Sequence, residues 1–297
     1  MEKPTKLLDP KVLTKLSNLY LVAKTVVEGF ISGLHKSLHK GFSVEFSEHR
    51  EYVPGDDLRY LDWKVFGRTD RLYIKVYREE TNLQSYILLD TSNSMNYKSN
   101  SLSKLEYGVF LAASLGYLMV SQKDAVGLTT FDSEIKNFIK PAATTSHLHY
   151  FIENLKNVKP GKKTSLGDVL NKIAPYIKRR SLIILISDLF DDPEKVIKGL
   201  AHFRHKHHEV IVFQILDPAE IQFPFNGDYE FVDMETGERV KTDTSYIKNT
   251  YKNVFQEFLS QYRKSCSENN ISYVKAVTET PFDYFLYRYL TRRVKYK

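Results

Sequence analysis

The segment Asp90-Thr91-Ser92-Asn93-Ser94 places one carboxylate and two hydroxyls at alternate positions directly after an apolar run, residues 85–89. One charged and two neutral oxygens on a tight turn form the donor mixture that a hard dication such as Mg²⁺ prefers. Two later segments supply the missing oxygens: Thr164 in Gly161-Lys-Lys-Thr-Ser-Leu-Gly167, and Asp188 directly after Leu182-Ile-Ile-Leu-Ile-Ser187. The candidate metal ligands are therefore Asp90, Ser92, Ser94, Thr164 and Asp188, with Mg²⁺ the expected ion and Mn²⁺ or Ca²⁺ as alternatives. Two aspartates balance a dication, while neutral hydroxyls leave it electrophilic enough to accept an Asp or Glu from another protein. That chemistry is binding rather than turnover. Taken alone, the turn has a second reading, because Asp and Ser are also favoured helix caps.

The elements that must position these residues read as alternating strands and helices. From residue 84 the pattern gives a strand at 85–89, a helix at 103–121, strands at 125–131 and 135–139, and a helix at 147–157. A helix at 166–178 and the strand ending at Ser187 follow. Helices at 193–206 and 245–269 then alternate with strands at 209–216 and 272–277, and a last helix covers 282–291. A hairpin pairs 229–232 with 239–241 around Glu235-Thr-Gly237. Apolar strands alternating with helices predict a mostly parallel, doubly wound α/β sheet covered on both faces. In such sheets ligands collect at the carboxyl ends of the strands, where Asp90 and Asp188 fall. Asp9-Pro10 predicts the start of an N-terminal helix over 11–28. Its apolar face, Val12, Leu16, Leu19, Ala23, Val26 and Val27, is expected to pack on the body.

The Asp-x-Ser-x-Ser turn, the small-residue-rich helix after it, and Thr164 and Asp188 in that order resemble the von Willebrand factor A domain with its metal-ion-dependent adhesion site. In that family the two Ser and the Thr coordinate the ion, directly or through water. The Asp residues act mainly through water, and the sixth position is left for a partner's carboxylate. The resemblance implies those roles for Ser92, Ser94, Thr164, Asp90 and Asp188.

A second signature precedes the first: Gly41-Phe-Ser-Val-Glu-Phe46, then Glu48-His-Arg-Glu-Tyr-Val-Pro-Gly-Asp-Asp-Leu-Arg-Tyr-Leu-Asp-Trp-Lys64, then Arg68-Thr-Asp-Arg-Leu-Tyr-Ile-Lys75. With Glu79-Glu80 and the strand into Asp90, it resembles the DUF58 family. Members of that family carry a von Willebrand A-like domain and are commonly associated with MoxR-type AAA+ ATPases. The resemblance implies such an ATPase as partner. The expected division is a family-specific region over 1–82 and a von Willebrand factor A-like domain over 83–297.

Within that signature Arg50, Arg59, Arg68 and Arg71 alternate with Glu48, Glu51, Asp57 and Asp62. They read either as ion pairs bracing the N-terminal region or as a recognition surface for the ATPase, with Arg59, Asp62 and Arg68 the candidate contacts. Trp63 is expected to be a core anchor. His202, His205, His207 and His208 carry Zn²⁺-binding side chains, but Arg204 and Lys206 among them disfavour a cation and predict an exposed helix end. Asp191-Asp192 reads as a helix start before Pro193, or as an extension of the site toward two metals.

The 297 residues, 42% hydrophobic and 27% charged, fit one large domain with a smaller appendage. The net charge of +7 includes a terminal run, Arg288, Arg292, Arg293, Lys295 and Lys297, expected to be a solvated tail. No nucleic-acid-binding motif accompanies it. One cysteine, Cys266, excludes an intramolecular disulfide and fits a reducing compartment. The most apolar long stretch, 107–120, is shorter than the ~20 residues of a spanning helix, and no signal-peptide pattern opens the sequence. No membrane span and a cytoplasmic location are expected. Lys162-Lys163 lacks a glycine-rich phosphate loop, so no ATP site is expected. The alternative function is a Mg²⁺-dependent phosphohydrolase using Asp90 and Asp188, although such enzymes place a second Asp where Ser92 stands.

Overall fold

Apolar residues four apart build the first helix, α1 (Leu19–Ser37), in which Val22, Ala23, Val26, Val27 and Phe30 are all buried. The computed structural model describes residues 18–37, 49–53, 63–75, 84–161, 165–282 and 284–287. Helix α1 runs past the expected end at residue 28, because the buried stripe continues at Phe30 beyond Gly29; the expected beginning, 11–17, lies outside the described residues. Strands β1 (His49–Glu51) and β2 (Tyr73–Lys75) pair antiparallel, and helix α2 (Trp63–Thr69) lies between them in sequence.

Among the described residues, 18–32 and 84–287 form one compact unit, and 33–37, 49–53 and 63–75 a second. The buried face of α1, Val22 to Phe30, falls in the unit that holds the sheet. Trp63 departs from expectation more sharply. It is 66% exposed and meets Phe66 edge-on, with ring centroids 6.2 Å apart. Its neighbours Val65 and Phe66 are half-buried, so the more covered face of α2 is theirs and the indole stands off it.

The larger unit is built on strands β3 (Gln84–Asp90), β4 (Ala125–Phe131), β5 (Ile135–Ala142), β6 (Leu182–Ser187) and β7 (Glu209–Leu216), the hairpin β8 (Asp228–Val232) and β9 (Arg239–Asp243), and β10 (Ser272–Val277). Six of them form one sheet in the order β10-β7-β6-β3-β4-β5, parallel except for β5 at the edge. Every residue of β6 is buried, as a parallel strand covered on both faces requires. The helices are α3 (Lys104–Ser121), α4 (Thr145–Lys156), α5 (Leu166–Ile173), α6 (Pro193–His205), α7 (Pro218–Gln222) and α8 (Thr244–Glu268).

Alternate residues of each strand serve opposite faces. Leu88, Leu185 and Val212 share a core cluster with Leu170 of α5, Leu200 and Phe203 of α6, and Tyr262 of α8. On the other face Leu89 and Ile186 stand against Gly108 of α3. This is the expected mostly parallel, von Willebrand A-like architecture. Its consequence for function is positional: β3 and β6 are adjacent and parallel, with Leu89 beside Ile186, so Asp90 and Asp188 emerge at one edge of the sheet.

Candidate metal centre

Asp90 is buried where β3 ends, and both of its carboxylate oxygens are engaged. Ser92 N donates to Oδ1 at 2.9 Å and Ser187 Oγ donates to Oδ2 at 2.6 Å. The Ser92 and Ser94 hydroxyls stand 3.0 Å apart on the 3₁₀ turn Asn93–Asn96. Burial first, and then the negative charge of Asp188, push the Asp90 carboxyl up to about 7, against hydrogen bonds that favour its ionised form. The loop after β6 is equally fixed. Leu189 adopts a left-handed φ of 62°, and its N–H donates to Ser187 Oγ while Tyr262 Oη donates to its carbonyl, each at 3.0 Å. Backbone strain of this kind gathers where structure around it holds a site in shape.

Thr164 lies outside the described residues, but the residues flanking it are tied to this edge. Gly161 N donates to the Thr91 carbonyl at 2.6 Å, and Leu166 N donates to Asp191 Oδ2 at 2.6 Å. A Cβ at position 161 would fall 2.3 Å from Asp132 Oδ2, so glycine is what lets the chain pass so close. Asp132 is a further buried acid, at the end of β4, that sequence reasoning did not single out; Lys136 Nζ approaches it at 3.1 Å.

The largest omission from the sequence reading is Lys104. It is fully buried, and its ammonium meets Asp188 Oδ2 at 2.8 Å and Glu220 Oε1 at 2.6 Å, 4.5 Å from the Phe190 ring centroid. Burial opposes its charge, yet Asp188 and Glu220 outweigh burial and hold it above the ordinary lysine range. Glu220 is pushed up by burial in spite of the lysine, and its Oε2 accepts from Asp217 N at 2.8 Å in the cap of α7. Asp188 Oδ1 accepts from Phe190 N at 3.2 Å. Asp188 therefore serves both the candidate metal site and a buried ion network.

The donor chemistry fits a dication. Two buried acids lie close enough for one to perturb the other, with two hydroxyls beside them, which is the mixture of charged and neutral oxygens a dication takes. Among the described residues no group of three or more His, Cys, Asp or Glu is placed to bind a metal. Asp192 caps α6 by accepting from Glu194 N at 3.0 Å, and Asp191 anchors Leu166, which is the helix-start reading of that pair. The histidines diverge: His205 and His207 are exposed, whereas His208 is buried and its Nδ1 accepts from Ser181 N at 3.1 Å. Burial pushes the Cys266 thiol up to about 12, leaving it inert. Arg68 is exposed at the end of α2, while Arg59 and Asp62 lie outside the described residues. No helix among the described residues is long and apolar enough to cross a membrane.

Residues 48–264 match the family described as "Protein of unknown function DUF58". The chain belongs to the DUF58 family. The match runs far beyond the charged signature and takes in most of the sheet. An uncharacterized protein of Mycobacterium tuberculosis is 26% identical over 232 residues, covering 77% of this chain and 73% of that one. The conserved hypothetical protein BatB from Bacteroides thetaiotaomicron is similar in structure, with a TM-score of 0.51 at 18% identity, covering 72% of this DUF58 chain and 99% of BatB. An aerotolerance-related membrane protein from Bacteroides fragilis gives a TM-score of 0.48 at 19% identity over 65% of this chain and 91% of that one. The likeness to BatB is one of fold.

Proposed function

We propose that this DUF58 chain is a non-enzymatic, metal-dependent protein-interaction module. In this reading Asp90, Ser92, Ser94, Thr164 and Asp188 hold a divalent cation, Mg²⁺ before Mn²⁺ or Ca²⁺, and a protein partner supplies an Asp or Glu to it. The observation that carries the reading is the meeting, at the ends of adjacent strands, of two buried aspartates and two hydroxyls 3.0 Å apart. The bound ion would supply an open position for one carboxylate. The chain's own groups supply the rest: Ser187 and the Ser92 N–H orient Asp90, and Lys104 orients Asp188. The phosphohydrolase alternative has less support. Such enzymes place a second Asp where Ser92 stands, and Asp90 is only 1% exposed.

The partner we infer is a MoxR-type AAA+ ATPase or its client, met in the cytoplasm. Arg59, Asp62 and Arg68 of the region ending at 82 form a second contact surface; the exposure of Arg68 supports this part of the reading. Capture of the purified ATPase by the immobilised chain, with and without chelator, tests it. Wild-type capture should fall on chelation to the level of Ser92→Ala, and chelator should add little to that variant because both act on one contact. Capture that survives chelation intact would place the contact on another surface.

A further inference from the structure

The amino ends of β6 and β7 lie at the edge of the sheet opposite the metal turn, about 20 Å away along the six residues of β6. Two segments are fastened side by side there. Ser181 N donates to His208 Nδ1 at 3.1 Å, and Glu209 N donates to the Ser181 carbonyl at 3.0 Å. Exposed Lys178, Arg179 and Arg180 lie on the loop before β6, with half-buried Arg204 in the last turn of α6 and exposed Lys206 just after it.

Against these five cations the segments 174–180 and 204–209 hold a single acid, Glu209, which faces Arg180 at 3.4 Å. Lys178, Arg179, Arg204 and Lys206 make no ion pair among the described residues. Uncharged acceptors hold two of them: Lys206 Nζ donates to the Ala174 carbonyl at 3.1 Å, and Arg204 Nη1 donates to the His208 carbonyl at 2.7 Å. A cation at a helix's carboxyl end meets the helix dipole, which accounts for Arg204. Lys178 and Arg179 sit on no helix, and nothing in the fold uses their charge.

The make-up of this patch selects among anionic partners. A protein interface is built around an apolar core, whereas in these two segments Tyr176, 60% exposed, is the one large hydrophobic side chain standing in solvent. Duplex nucleic acid is read by a helix or ribbon entering a groove, and here the cations stand on a loop and at the closing end of a helix. A planar anionic surface needs neither. It attracts clustered lysines and arginines as charge, and an exposed tyrosine suits its boundary with water.

We propose that this edge docks on a membrane surface bearing anionic lipid, with Lys178, Arg179, Arg180, Arg204 and Lys206 against the headgroups and Tyr176 at the boundary. The contact needs no membrane span, is reversible and weakens with salt. It stands independently of the metal reading, and leaves the metal turn at the edge of the sheet away from the bilayer.

Sedimentation of the full chain with vesicles tests this, using phosphatidylcholine alone and equal parts phosphatidylcholine and phosphatidylserine, with duplex DNA as a separate binding target at the same ionic strength. Wild type should sediment only with the mixed vesicles. Lys178→Gln combined with Arg179→Gln should weaken that binding roughly thirtyfold, the share of two cations. Arg292→Gln combined with Arg293→Gln removes equal charge elsewhere and should weaken it far less. Chelator and Ser92→Ala should leave it unchanged, which separates this surface from the metal site. Failure of wild type to sediment, equal binding to both kinds of vesicle, equal loss in the two double variants, dependence on chelator, or tighter binding to duplex DNA would each overturn the proposal.

Discussion

Two charged regions of this chain differ in burial and therefore in energetic weight. In the unit containing β1 and β2, Arg71 and Glu51 face each other at 4.0 Å with side chains 69% and 70% exposed. At the edge of the sheet, Lys104 reaches Asp188 at 2.8 Å and Glu220 at 2.6 Å while 1% exposed. Water screens the first pair, and exposed pairs contribute about 0–1 kcal/mol. The second trio has given up its water and depends on its members for compensation. Density of charge in the sequence and energetic weight in the fold are therefore different quantities.

The largest effect expected from that difference is at Lys104. Lys104→Met leaves Asp188 and Glu220 buried without their cation, and should lower unfolding stability by roughly 3–5 kcal/mol in urea titration. A loss below about 1 kcal/mol, the range of an exposed pair, would put this trio on the same footing as Arg71–Glu51.

Asp90→Asn should act in the opposite direction in the absence of metal. The folded Asp90 carboxyl titrates near 7, above its unfolded value, so between about pH 4 and 7 the folded state binds more protons than the unfolded state. This group's contribution therefore falls as pH rises through that window, by up to roughly 1.4 kcal/mol per pH unit. The Asn variant should be the more stable protein at pH 7.5 without metal, and its stability should vary less between pH 4 and 7. A wild-type profile in which metal-free stability climbs steadily from pH 4 to 7, with no difference from Asp90→Asn, would contradict the account.

The smallest expected effect is at Arg71. Arg71→Ala should change stability by less than about 1 kcal/mol in thermal unfolding. A loss of several kcal/mol would mean that the charged signature braces the fold after all.

The strands were legible because parallel strands covered on both faces need apolar side chains throughout; β6 and β7 fall on the expected residues. Helix α3 begins within one residue of its expected start at 103, where the Ser103 and Glu106 capping box fixes it. Lys104 was hidden by the same local logic. A lysine at the first position of a helix opposes the helix dipole and reads as solvated, and only the tertiary meeting with Asp188 and Glu220 reveals why it is there. Glu220 sits on the five-residue α7, too short to show a helical period. Trp63 misled because size alone does not decide burial: Val65 and Phe66 are half-buried while the indole is 66% exposed. At the metal turn the residue types pointed to a cation, but the hydrogen bond from the Asn93 amide to the Met234 carbonyl, 141 residues away between β8 and β9, had no local signal.

Because Asp188 also holds Lys104, replacing it would confuse metal loss with loss of the buried network. The hydroxyls separate the two. The most direct test is therefore Mg²⁺ titration of thermal stability for wild type and for Ser92→Ala combined with Ser94→Ala. Wild type should gain stability with Mg²⁺, by about 2.7 kcal/mol at one hundred times the dissociation constant, while the double variant stays flat. A flat wild type, or an equal gain in the double variant, would contradict the assignment of this edge of the sheet as a metal-dependent docking site.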